Sequence, residues 1–130
     1  MRKDAADLDG QDWIGLEDTE TPTVIGRWLR QHVRPDNIVL TVDALPALHD
    51  AARAGLGLAV LPCYLGDPDE KLCRVTVMPP DLPQTALWLL THDDLRRTAR
   101  VRAAMDFFAV ALSQHRALLA GRCAFREPIT

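Results

Sequence analysis

One run constrains the fold of this chain more than any other: DALPALHDAARAGLGLAVLP, from Asp43 to Pro62. It reads as a helix, a turn and a strand. Asp43 is expected to cap the helix, its side-chain oxygen accepting an orphan backbone N–H. Pro46 falls in the first turn, where proline is tolerated. Leu45, Leu48, Ala52 and His49 recur on one helical face. Gly55 suits a left-handed helix end. Residues 58–61, Leu-Ala-Val-Leu, form an unbroken apolar run, the pattern of a strand buried on both faces, and Pro62 stops it. Such units build α/β folds, whose ligands bind at strand and helix ends.

The flanking segments repeat the alternation. Residues 13–16, Trp-Ile-Gly-Leu, suit a short strand. Thr21 and Pro22 are expected to open a helix as cap and first residue. Val24, Ile25, Trp28, Leu29 and Val33 then follow at helical spacing, and Pro35 ends the helix. Residues 38–42 are β-branched and apolar and predict a second strand; 72–78 predict an edge strand and 86–90 a buried one. Pro79, Pro80 and Pro83 stiffen the connection between those two. Val101, Ala104, Met105, Phe108, Leu112, His115 and Leu119 trace one stripe on a last helix that Gly121 ends. The alternation predicts an α/β fold with a mainly parallel sheet flanked by helices.

Composition excludes several classes. The 130 residues leave room for one domain with a core. Net charge is −3, and Arg96, Arg97, Arg100 and Arg102 are too few for a phosphate-neutralising face, so nucleic-acid binding is not expected. The polar start, Met-Arg-Lys-Asp, is no signal peptide, and no apolar run has transmembrane length, so the cytoplasm is the expected location and no membrane partner is expected. Cys63, Cys73 and Cys123 are an odd count without CxxC spacing, hence ordinary thiols, with Cys63 a candidate sensing thiol. A zinc site from Cys63, Cys73 and His92 lacks a fourth ligand. No cofactor is expected. There is no GxSxG, HExxH or phosphate loop.

Residues 52–62, ARAGLGLAVLP, resemble the "aGlGiallP" signature of LysR-type transcriptional regulators, in their effector-binding domain. Residues 7–15 resemble the start of that domain's second subdomain, 87–92 the strand returning toward the first subdomain, and 100–108 the last helix. The pieces follow family order over about residues 7–116. The resemblance implies half of a periplasmic-binding-protein-like domain. It implies a second subdomain over about 7–90, a returning helix over about 99–120, and a tail over 122–130. The DNA-binding domain and first subdomain of such regulators have no counterpart here. The expectation is therefore a piece of a regulator, by truncation, splitting or design.

In α/β halves of this kind, helix N-termini and strand C-ends face the ligand. Thr19, Thr21, Thr23, Asp43, Leu61, Pro62 and Cys63 are the candidate cleft wall. Helix N-termini favour carboxylates, yet Asp43 stands where the family often has Ser or Asn and can fill the anion site itself. Each candidate also has a plain reading as cap or packing residue. His49 and His115 read as core-edge histidines, His32 and His92 as exposed ones. Trp13, Trp28 and Trp88 read as core residues.

The best reading is a regulatory effector-binding module without enzymatic activity, whose partner is a small organic effector, weakly bound. In the family the last helix packs on the first subdomain. Val101, Met105, Phe108, Leu112 and Leu119 therefore need another cover, either their own sheet or a second copy in a symmetric or swapped homodimer. Two alternatives are a small enzyme, favoured if His49, Asp43 and Cys63 share one pocket, and a lone half of a solute-binding protein, which the missing signal peptide disfavours.

Overall fold

The computed structural model describes residues 8–17, 23–75 and 81–122. Strand β1 (Trp13–Leu16) leads to helix α1 (Val24–His32), a 3-10 turn (Pro35–Asn37), strand β2 (Ile38–Val42) and helix α2 (Leu45–Arg53). Short helix α3 (Cys63–Gly66) follows, then α4 (Ala99–Gln114) and α5 (Arg116–Leu119).

Strands β1 and β2 pair in parallel, and Leu58 adds a parallel bridge to Trp13 on the other side of β1. The helices cover both faces because the strand side chains alternate. Trp13 points to α1 and packs with Trp28, Leu29, Val33 and Val60. Its neighbour Ile14 points to α2 and is fully buried against Leu48 and Ala51. The register slips between Trp13 and Ile14, which pair with Ile38 and Leu40 and skip Val39. The slip lets Ile38 serve the α1 core and Val42 the α2 core, although both are even-numbered.

The turn between α2 and the third segment depends on two glycines. Gly55 has φ +80°, a backbone conformation that costs a side-chain-bearing residue 1–2 kcal/mol, roughly. Gly57 lies where a Cβ would sit 2.8 Å from the Asp12 carbonyl oxygen. That close approach lets Leu58 hydrogen-bond on both sides of Trp13, donating to Asp12 O and accepting from Ile14 N.

Several expectations need correction. Asp43 does not cap α2. Ala44 occupies the cap and no side chain bonds there. Had Asp43 been the cap, Pro46 would stand third in the helix, with no N–H to offer its carboxylate. Helix α1 starts at Val24, not at Pro22, and Thr23 is its cap, Oγ1 accepting from Gly26 N at 2.9 Å. Thr21 and Pro22 lie outside the described residues. Helix α1 ends at His32, and Pro35 opens the 3-10 turn instead.

The expected strand over 58–61 is reduced to the Leu58 bridge. Residues 72–75 form no strand, and 76–78 lie outside the described residues. The largest departure is 86–90, expected as a buried strand. It has neither helix nor ladder, and Leu87, Trp88 and Leu90 are 66, 75 and 83% exposed. An apolar run becomes a strand only beside a partner, and no described residue pairs with it. Trp88 is thus not a core residue, whereas Trp13 and Trp28 are.

The last helix breaks at His115, where the two helical pieces meet. No residue of α4 or α5 is buried. On the expected stripe Phe108 is exposed, and Val101, Met105, Leu112 and Leu119 are half-buried. Helix α4 does not fold back on the sheet; its main element contact is α5, and α5 rests on α3.

Candidate functional site

The parallel order puts three chain turns at one edge of the sheet. β1 ends at Leu16, which pairs with Val42 at the end of β2, and Glu17 N donates to Val42 O at 2.7 Å. Segment 58–62 runs the same way beside β1 and ends at Pro62, the cap of α3. The carboxyl edge therefore carries Asp43, the α2 start and the Pro62–Cys63 turn. In open α/β sheets this is the edge where ligands sit.

A cavity of about 330 Å³ opens beside the third segment. Trp13, Trp28, Leu58, Val60, Val75 and Leu82 form much of its lining, and Leu61, Pro62 and Cys63 reach its wall. The structure thus gathers three of the sequence candidates. Thr23 and Asp43 do not line it. The Thr23 hydroxyl is engaged as a cap, and Asp43 is exposed at the end of β2. Thr19 and Thr21 lie outside the described residues.

One side of the cavity is closed by an ion pair that the sequence did not single out. Arg74 Nε donates to Asp67 Oδ1 at 2.7 Å, and its Nη2 donates to Asp67 Oδ2 and to the Gly121 carbonyl. Both side chains are largely buried, Asp67 to 10% exposure and Arg74 to 22%. The fork geometry of arginine suits this bidentate pairing. It ties the end of α3 to the turn after α5. Gly121 takes φ +66°, and a Cβ there would sit 2.7 Å from Cys63 Sγ. Nothing in the spacing of Asp67, Arg74 and Gly121 announces this latch, because its last member lies 47 residues beyond Arg74.

A second polar cluster lies on the α2 side. His49 Nε2 is 2.9 Å from Asp69 Oδ2, and Arg53 Nε is 3.1 Å from the same oxygen. The Lys71 backbone N–H donates to Asp69 Oδ1 at 2.9 Å. That bond chiefly holds the Asp69 carboxyl below its ordinary value; Arg53 and His49 act in the same direction and desolvation opposes them. A lowered carboxyl stabilises the fold at pH above its ordinary value of 3.8 and loses that contribution as acid protonates it below. Asp69→Asn is therefore expected to flatten the acid limb of the stability curve below about pH 4, read by melting across pH. An unchanged acid limb would show that Asp69 is not the group responsible.

His49 and Asp69 share a shallow, open pocket with Arg53 and Tyr64, while Cys63 lines the apolar cavity and Asp43 lines neither. The clustering of His49, Asp43 and Cys63 that would favour an enzyme does not form. Among the described residues no group of three or more His, Cys, Asp or Glu side chains is placed to hold a metal ion. No helix among them is long and apolar enough to cross a membrane.

The comparison with protein families decides the assignment: the family model of the LysR substrate binding domain matches residues 2–113. The chain belongs to this family. It is the domain of LysR-type transcription regulators, which are not enzymes, and it has a periplasmic-binding-protein-like α/β fold. The small parallel sheet with helices on both faces agrees with that fold. No curated protein and no solved structure gives a significant match to the chain.

Proposed function

We propose that this chain is the effector-binding module of a LysR-type regulator and contributes one wall of the effector cleft. The observation that carries the reading is the family match over residues 2–113. The carboxyl edge of the sheet supports it: Asp43 and the uncapped start of α2 follow β2, and Leu61, Pro62 and Cys63 follow the parallel Leu58 bridge. Thr19, Thr21 and Thr23 belong to the same proposed wall. The proposed extent is residues 1–121, with the second subdomain over 7–90 and the returning helix over 99–120. The proposed ligand is a small organic acid, bound weakly because one wall leaves much of it in water, whereas a formed pocket buries most of its ligand. The exposed carboxylate of Asp43 further disfavours anions at the α2 start. Association through Val101, Met105, Phe108, Leu112 and Leu119 completes the reading, with the cytoplasm as the place of action and no direct contact to nucleic acid.

Calorimetric titration against aromatic and aliphatic acids tests the site. Saturable heats with dissociation constants no tighter than roughly 100 μM, about −5.5 kcal/mol, are expected. They should shift when Asp43→Asn removes the competing charge. A micromolar ligand whose affinity ignores Asp43 and Pro62 substitutions would overturn the proposed wall.

A further inference from the structure

Among the described residues the outer edge of the third segment has no hydrogen-bonded partner, and a cavity lies beneath it. In a parallel ladder the N–H and C=O of one residue point to the same side, and alternate residues serve opposite neighbours. Leu58 directs both groups to β1, donating to Asp12 O and accepting from Ile14 N, each at 2.8 Å. Ala59 and Leu61 therefore direct theirs away from β1. No backbone hydrogen bond joins Ala59, Val60 or Leu61 to another described residue. On the α1 face this edge borders the 330 Å³ apolar cavity. On the α2 face Ala59 and Leu61 pack against the Ile14–Leu48 core.

The chain also holds a segment of complementary character. Residues 86–90, Ala-Leu-Trp-Leu-Leu, are apolar at every position, so a strand made from them is apolar on both faces. No backbone hydrogen bond joins residues 82–91 to another described residue. Leu87, Trp88 and Leu90 are more than 60% exposed. A strand added beside Ala59 and Leu61 would place alternate side chains in the cavity and on the α2 face, and only an all-apolar strand suits both. Leu82 of the same chain already lines the cavity, and this tether leaves its own 86–90 outside.

We propose that the edge at Ala59–Leu61 is an acceptor for residues 86–90 of a second copy, which adds as a strand and fills the apolar cavity. Main-chain bonds supply affinity and the apolar side chains supply selectivity, as in other strand additions. The exchange removes an open edge and a bare apolar run together, the two features that soluble sheets normally conceal.

Light scattering and hydrogen exchange on the whole chain test this. At about 100 μM a dimer is expected, in which the Ala59 and Leu61 amides exchange slowly. Trp88→Asp with Leu90→Asp should weaken the dimer at least about tenfold and release both amides. Because both side chains are exposed in the single chain, its melting should not fall. Val39→Asp, on the opposite edge of the sheet, should leave the dimer intact. A monomer at that concentration would overturn the proposal. So would a dimer that survives the Trp88 and Leu90 changes, one that Val39→Asp breaks, or Ala59 and Leu61 amides that exchange at the same rate in dimer and monomer.

Discussion

Trp28→Ala should cost about 3–5 kcal/mol, a large loss for a single truncation on the α1 face. Trp28 is 4% exposed. Its ring lies 5.8 Å from that of Trp13 at 51° and stacks on His32 at 4.6 Å. It also supports the cavity wall, so its removal enlarges an existing void instead of creating one that neighbours can collapse into. Each kcal/mol lowers the melting temperature of a domain this size by about 4 °C, so the drop should exceed about 10 °C. Calorimetry or far-UV melting reads it directly. A loss under about 1 kcal/mol would mean that the α1 layer does not carry the core.

Leu48→Ala should cost about 2–5 kcal/mol from the opposite face. Leu48 is fully buried between α2 and the sheet, against Ile14 and Ala51. Trp13 and Ile14 point to opposite sides of β1, so Trp28 and Leu48 belong to separate buried clusters. Effects on the two faces should therefore add to within about 0.5 kcal/mol. The milder pair Trp28→Phe and Leu48→Val is suited to that test, because the sum of the two alanine costs approaches the whole stability of a domain. Strong coupling in the mild pair would mean a single mixed core and would contradict the three-layer arrangement. Phe108→Ala makes the contrast: Phe108 is 49% exposed, and its loss in a single chain should be small.

The candidate site was legible in part. Residues 61–63 are candidates because the apolar run and Pro62 suggest a strand end; they reach the cavity wall, although the strand itself is reduced to the Leu58 bridge. Thr23 was among the candidates, yet its hydroxyl proves to be a cap, two residues from the Thr21 expected in that role. Threonines two apart offer the same chemistry to either start, and local sequence does not choose. Asp67, Arg74 and Gly121 had no local signature. Asp69 likewise draws His49 and Arg53 from the preceding helix α2, across a turn whose shape the sequence does not state.

The sequence by itself determined the parts whose energetics are local. The core of α2 and the left-handed Gly55 follow from periodicity and backbone freedom within a few residues, and the apolar runs at 13–16 and 38–42 mark where β1 and β2 lie without naming their partner. The family also followed from such short runs in order. Only the tertiary structure decided what depends on a distant partner. It reduced 58–61 to one bridge, left 86–90 outside any sheet, and drew Arg74 to Asp67 and Gly121. A helix satisfies its own hydrogen bonds within four residues. A strand or a buried ion pair needs groups that only the folded chain brings beside it.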